Sequence, residues 1–110
     1  MSDTSLGPED NKIIVLARSA RARNGAAEGA AVRDETGRTY VATNVALPSL
    51  TLSALQVAVA MAASSGAESL EAAALVTEGE GPADADARAV RDLGGRRLLV
   101  AGPDGTLRQS

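Results

Sequence analysis

The sequence predicts a small protein of the α/β class, in which helices pack on a mixed β-sheet. Its 110 residues are 45% apolar and 23% charged, as expected for one globular domain. Segments with helical spacing of apolar residues alternate along the chain with strand-like apolar runs. The resulting order, α-β-β-α-β-α-β with a candidate short edge strand at the end, is typical of a sheet covered by helices.

The N-terminal region is predicted to form a flexible segment followed by a helix. Residues 1–8 are polar, and we expect them to be flexible, with a single domain over residues 9–110. Residues 9–22 have apolar side chains at helical spacing, acidic residues at the start and arginines at the end, which suits the helix dipole. Asn24 and Gly25 end this helix. Residues after Leu107 are expected to fray.

A β-hairpin is predicted next, followed by a buried helix and a buried strand. Residues 28–34 and 38–46 are strand-like and are separated by a short turn in which Gly37 supplies a positive φ. Residues 50–65 are apolar on nearly every side, which predicts a buried helix. Residues 70–77 predict a strand covered on both faces, reached by a parallel crossover. The remaining elements are an acidic loop at 78–86, a short helix at 85–93, a strand at 97–101 and a turn at 103–105.

Composition excludes several kinds of chemistry. The chain has no cysteine and no histidine, so it cannot form a disulfide, a thiolate nucleophile, an imidazole base or a zinc site of the usual nitrogen and sulfur kind. Tyr40 is the one aromatic residue, which argues against stacking on nucleic-acid bases. The net charge of −3 and pI near 4.8 argue against binding to nucleic acid or anionic lipid.

No membrane segment or export signal is expected from the sequence. The longest nearly apolar stretch, residues 54–63, is about half a bilayer span, and the N-terminus lacks the basic and apolar regions of a signal peptide. We therefore expect a cytoplasmic protein. The abundance of alanine, glycine and arginine is typical of a GC-rich bacterial genome, so the arginine count has little functional weight.

Five short motifs occur in the order and spacing of one known family. They resemble the cytidine deaminase family over about residues 12–105, and the resemblance implies a three-layer fold with a mixed sheet, in agreement with the element order above. The motifs are Gly29-Ala30-Ala31-Val32, Asp34-Glu35-Thr36-Gly37, Asn44, Ser53-Ala54-Leu55 and Pro82-Ala83-Asp84-Ala85-Asp86.

The chain departs from that family at each position that carries the family's catalysis. The resemblance places Ser53 at the first zinc-binding cysteine, Leu55 at the proton-shuttling glutamate, and Ala83 and Asp86 at the later pair of cysteines. Zinc deaminases need a metal that activates water and a carboxylate that moves its proton. The resemblance therefore implies a degenerate member with no catalytic residues and no zinc cofactor.

The family's substrate-binding and assembly features lead to two further expectations. Asn44 is the one matching residue of the substrate-binding motif, because Ala46 stands where the family has a glutamate. The family forms dimers and tetramers, and a core this poor in aromatic residues is thin for one small domain. We therefore expect a homo-oligomer. Binding of an unidentified protein partner is left open as a second expectation.

Residues of the acidic loop allow a second interpretation. Asp84 and Asp86, with Glu78 and Glu80, offer oxygen ligands for Mg²⁺ or Ca²⁺. Their spacing lacks the ligand repeat of a calcium loop, so we prefer capping of the short helix by Asp84.

For the other candidate sites, a structural role is also preferred over a functional one. Ser49 and Ser53 lack a nearby base, because the single lysine lies on the first helix, so helix capping is preferred over a nucleophilic role. The glycine pairs around residues 80 and 94 lack the spacing of a phosphate-binding loop and are interpreted as turns. Arg18, Arg21 and Arg23 complement a helix dipole.

Two functions remain open from the sequence. We prefer a non-catalytic domain with the deaminase fold that binds itself, a protein partner or a small ligand. The alternative is a cytidine or deoxycytidine deaminase, a hydrolase in which zinc would be the cofactor.

Overall fold

Three helices and seven strands make up residues 6–109, the part of the chain that this computed structural model describes. The predicted element order is confirmed, with one additional hairpin between the second strand and the second helix. In chain order the elements are α1 (Pro8–Asn24), β1 (Glu28–Asp34), β2 (Thr39–Thr43), β3 (Val45–Leu47), β4 (Leu50–Leu52), α2 (Ala54–Ser64), β5 (Leu70–Thr77), α3 (Asp84–Asp92), β6 (Leu98–Ala101) and β7 (Leu107–Gln109).

The main sheet has five strands in the order β2-β1-β5-β6-β7, and β3 and β4 form a separate hairpin. β1 pairs antiparallel with both β2 and β5, β5 pairs parallel with β6, and β6 pairs antiparallel with β7. Because β2 and β5 are both antiparallel to β1, they run in the same direction. The connection through α2 is therefore the predicted parallel crossover, and it passes over β1.

Helices cover both faces of this sheet, which gives the predicted three layers. Ala30 and Val32 of β1 belong to the core shared with α2 and α3, whereas Ala31 belongs to the core shared with α1. This alternation follows from the two-residue period of a strand. The fold class expected from the sequence is confirmed.

The turn between β1 and β2 is organised by the buried carboxylate of Asp34, which is 2% exposed. Its Oδ1 accepts hydrogen bonds from the Thr36 hydroxyl at 2.7 Å, the Thr36 amide at 2.9 Å and the Arg38 amide at 3.0 Å, and its Oδ2 accepts one from the Tyr40 hydroxyl at 2.9 Å. Burial raises the pKa of Asp34, but these hydrogen bonds outweigh burial and lower the pKa to about 2. Gly37 has a φ of 88°, as the predicted turn requires.

Two predicted boundaries were wrong around the additional hairpin. The strand predicted at 38–46 ends at Thr43, because the Asn44 side chain accepts the Glu28 amide and interrupts the ladder. The helix predicted at 50–65 begins only at Ala54, because Leu50–Leu52 pairs with Val45–Leu47 instead. α2 is also not buried on every side, since Met61 is 40% exposed.

The two ends of the chain also differ from prediction. α1 begins at Pro8, within the segment predicted to be flexible, and the flexibility predicted for residues 1–5 concerns residues outside those described. Leu107–Gln109 pairs with β6, which confirms the candidate edge strand, whereas the fraying predicted after Leu107 was wrong. The starts of the last helix and of the strand that follows it differ from the predicted starts by one residue, since α3 begins at Asp84 and β6 at Leu98.

Candidate functional site

The N-terminal ends of α2 and α3 meet through a hydrogen bond between Ser53 and Asp86. The Ser53 hydroxyl donates to Asp86 Oδ1 at 2.6 Å, although the two residues are 33 positions apart. Ser53 also caps α2, because its Oγ accepts the Gln56 amide at 3.1 Å and Gln56 Oε1 accepts the Ser53 amide at 2.9 Å. Helix capping was the role preferred for Ser53 from the sequence.

Asp86 is 4% exposed, and both of its carboxylate oxygens have partners. Oδ1 accepts the Ser53 hydroxyl, and Oδ2 accepts the Ala83 amide at 3.4 Å. Ala83 is the extended N-cap residue of α3, so the predicted capping by Asp84 was wrong. Asp84 is already the first helical residue, and the carboxylate that reaches back to the cap comes from Asp86.

Leu55 lies two residues after the cap and is fully buried. It belongs to the core cluster that joins α2 to the sheet, together with Val32 and Tyr40. The polar atom of Tyr40 is already bonded to Asp34. Leu55 is therefore an ordinary core residue in its surroundings, and its position offers no group that takes up or releases a proton.

Asn44 is connected to the same helix end through Glu28. Asn44 Oδ1 accepts the Glu28 amide at 3.0 Å, and Glu28 Oε1 accepts the Ala54 amide, the first of α2, at 3.2 Å. A carboxylate at this position is favoured by the helix dipole. Sequence analysis missed Glu28, because a single glutamate at the start of a strand gives no signal that it will reach a helix 26 residues later.

The acidic side chains in the described part of the chain do not assemble a metal site. Within residues 6–109, no three His, Cys, Asp or Glu side chains are grouped in a way that holds a metal ion. Glu78 lies 3.6 Å from Arg21 in an ion pair between the acidic loop and α1. No helix in the described part of the chain is long and apolar enough to span a membrane.

Three surface cavities of about 300, 330 and 380 Å³ open elsewhere on the domain. None of these three is lined by Asn44, Ser53, Leu55, Ala83 or Asp86. Of the residues that the family resemblance singles out, Ser53, Ala83 and Asp86 are therefore joined by hydrogen bonds, Asn44 is bonded to Glu28, and Leu55 packs in the core.

Comparison with known proteins identifies the fold and the family. The family model "Cytidine deaminase-like" matches residues 6–105. The crystal structure of cytidine deaminase from Burkholderia pseudomallei is 26% identical with a TM-score of 0.74, and the match covers 88% of this chain and 87% of that one.

Two further solved structures are similar over the same length. Cytidine deaminase from Mycobacterium tuberculosis is 28% identical, with a TM-score of 0.68 and coverage of 90% and 88%. Cytidine deaminase from Mycobacterium leprae is 23% identical, with a TM-score of 0.68 and coverage of 89% and 90%. No curated protein sequence gives a significant match. Because the family model spans nearly the whole domain, the chain belongs to the cytidine deaminase-like family.

Proposed function

We propose that this chain is a non-catalytic cytidine deaminase-like domain that acts as a self-associating or ligand-binding module. The observation that carries the proposal is the 2.6 Å hydrogen bond between Ser53 and Asp86. These two residues stand where the family resemblance puts zinc ligands, and they satisfy each other. Ser53 and Asp86 thus support each other as structural groups at the two helix ends, as buried polar groups do in a folded domain.

The donor set does not fit zinc. A catalytic zinc site uses three protein ligands from histidine, cysteine or a carboxylate. Here the corresponding positions hold the hydroxyl of Ser53, the methyl group of Ala83 and the carboxylate of Asp86, whose two oxygens are engaged. One carboxylate cannot replace three ligands, so these residues do not fit a zinc cofactor.

The position of the proton shuttle supports the same conclusion. Leu55 has a hydrocarbon side chain that can neither accept nor donate a proton. Its full burial also means that water has no access at this point of the helix. The Asn44 side-chain oxygen accepts a hydrogen bond from the Glu28 amide. This structural role argues against Asn44 as a substrate-binding residue.

Self-association is supported by apolar side chains that the domain leaves on its surface. Leu47 is 57% exposed, Leu50 49% and Met61 40%. Leu47 pairs with Leu50 across the β3-β4 hairpin, and Met61 lies with Leu52 and Val57 along a cavity of about 380 Å³ between the hairpin and α2. We propose that this hairpin surface is covered by a second copy of the chain, in a dimer or tetramer.

The second candidate function is a cytidine deaminase. It is favoured by the solved relatives, which are cytidine deaminases with up to 28% identity over most of the chain. If it holds, another arrangement of this chain must bind zinc and supply a proton shuttle.

Turnover of cytidine separates the two functions. Release of uridine from cytidine and of deoxyuridine from deoxycytidine should be measured at high protein concentration with added zinc, and we expect no release above the blank. Ser53→Ala is the matched control, because a deaminase carried over from the expression host would act equally in both samples. Release that scales with the parent protein and falls in the Ser53→Ala sample would refute the proposal.

A further inference from the structure

A cleft between α3 and the start of β6 combines apolar walls with two arginines. Its volume is about 300 Å³, and it is lined by Ala87, Val90, Arg91, Gly95, Arg96 and Leu98. The glycine is required for this shape, because a Cβ on Gly95 would lie 2.6 Å from Val90 Cγ1. Gly95 therefore lets the chain pass close to Val90 on its way from α3 to β6.

The apolar wall of the cleft is part of the domain core. Val90 is 2% exposed and belongs to the cluster under α2, and Leu98 is half-buried against the same cluster. Ala87 and Arg91 are four residues apart and lie on one face of α3. An apolar group in the cleft would contact Val90 and Leu98 without any change in the backbone.

In the described part of the chain, neither of the two arginine side chains is held by a partner, although Arg91, in the last turn of α3, complements the helix dipole. Arg91 and Arg96 are exposed, and within residues 6–109 neither takes part in an ion pair or a side-chain hydrogen bond. The neighbouring Arg97, in contrast, is paired with Asp10 at 3.0 Å. Arg91 reaches the cleft from the helix and Arg96 from the strand side. Arg91 and Arg96 are the two charged residues among the six that line this cleft.

We propose that this cleft binds a small organic anion, with a carboxylate or phosphate head held by Arg91 and Arg96 and a short apolar body against Val90 and Leu98. Guanidinium groups bind both kinds of head through paired hydrogen bonds. The volume is at the lower end for small-molecule sites, so the apolar body is of the size of one ring or one branched chain. The cleft shares no residue with the Ser53-Asp86 contact, so this proposal does not depend on the proposed function.

Four probe molecules test the two parts of this ligand. Amide resonances of ¹⁵N-labelled protein should be followed while phenylacetate, phenyl phosphate, phenylacetamide or acetate is added. We expect at least one of phenylacetate and phenyl phosphate to shift the amides of Ala87, Val90 and Gly95 saturably, and the stronger of the two identifies the head group. Phenylacetamide lacks the charge and acetate lacks the apolar body. Each should therefore bind at least about tenfold more weakly than the preferred anion.

Variants on one helix separate a built site from general attraction. Arg91→Gln and Arg96→Gln should each weaken binding of the preferred probe about tenfold, the equivalent of one charged hydrogen-bonding group. Arg88→Gln is the control, because Arg88 is an exposed arginine of the same helix that does not line the cleft, and it should leave the affinity within about twofold.

Three results would overturn the proposal. The first is the absence of saturable shifts up to about 20 mM phenylacetate and phenyl phosphate. This concentration is well above the dissociation constant expected of a small-ligand site. The second is equal binding of phenylacetamide and the preferred anion. The third is equal weakening by Arg88→Gln and Arg91→Gln, which would mean diffuse attraction to a basic surface.

Discussion

Replacement of Leu55 tests whether the helix position that bears the family's catalytic carboxylate has become part of the core. In Leu55→Ala three buried carbon atoms are lost, which costs about 2.4 kcal/mol at about 0.8 kcal/mol for each buried methylene. A cavity remains, because Leu55 is fully buried between a helix and a paired strand that cannot close over it. We expect a total loss of about 2 to 5 kcal/mol in the free energy of unfolding.

Leu55→Glu should be more severe than Leu55→Ala. The carboxylate would enter an apolar cluster in which the Tyr40 hydroxyl is already bonded to Asp34. It must therefore stay protonated with a raised pKa or draw water into the core, at a cost of several kcal/mol. Most of the stability of a small domain would be lost.

Urea denaturation measures both effects. Parent and variants should be compared at one protein concentration, since self-association would make the midpoint concentration-dependent. Val15→Ala is the control, because Val15 is an apolar helix residue that is 49% exposed, and it should change stability by less than about 1 kcal/mol. If Leu55→Glu unfolds at the same urea midpoint as the parent, Leu55 faces water, and an open pocket at the end of α2 would replace the closed site described above.

Three further predictions follow from the turn, the helix ends and the hairpin surface. Because the folded pKa of Asp34, about 2, lies below its ordinary value of 3.8, its contribution is complete above about pH 4 and is lost as the pH falls toward 2. The stability advantage of the parent over Asp34→Asn should shrink over that interval in thermal unfolding, and an advantage independent of pH would contradict it. Ser53→Ala and Asp86→Ala should each cost about 1 to 3 kcal/mol, and a double-mutant cycle should give a coupling of about 1 kcal/mol or more, whereas additive losses would rule out the contact. Leu50→Asp should lower the mass seen in sedimentation at about 50 µM, a concentration that reveals weak dimers, while Val15→Asp should not, and a parent that is already monomeric would refute self-association.

The bounds of an element could be predicted from the sequence where the local turn signals and the burial pattern agree. The bounds of β1 and β5 were predicted correctly, since each is an apolar run that ends at polar or glycine-containing turns. The β3-β4 hairpin was missed because Leu50 and Leu52 continue into the apolar run of α2, so that alternation and helical spacing overlap. The extended backbone of Ser53, with φ −73° and ψ 163°, separates the two elements.

The candidate site was only partly predictable for a different reason. Order and spacing of the motifs identified the residues, and a capping role was preferred for Ser53 because no base is expected nearby, although the predicted helix began before it. The hydrogen bond from Ser53 to Asp86 joins two helix ends that are distant in sequence, and the contact from Glu28 to Ala54 joins a strand to a helix. Such contacts depend on how the elements pack, which no local pattern contains.

The zinc content of the purified protein tests the central claim most directly. The chain should be produced with zinc in the medium, purified without chelators and analysed by mass spectrometry for metal per chain. The control is the same chain with Ser53→Cys, Ala83→Cys and Asp86→Cys, which restores the ligand types that zinc prefers and leaves Leu55 in the core. We expect about one zinc per chain in this control and less than about 0.1 in the parent, because paired oxygen groups cannot replace thiolates. One zinc per chain in the parent would contradict the account.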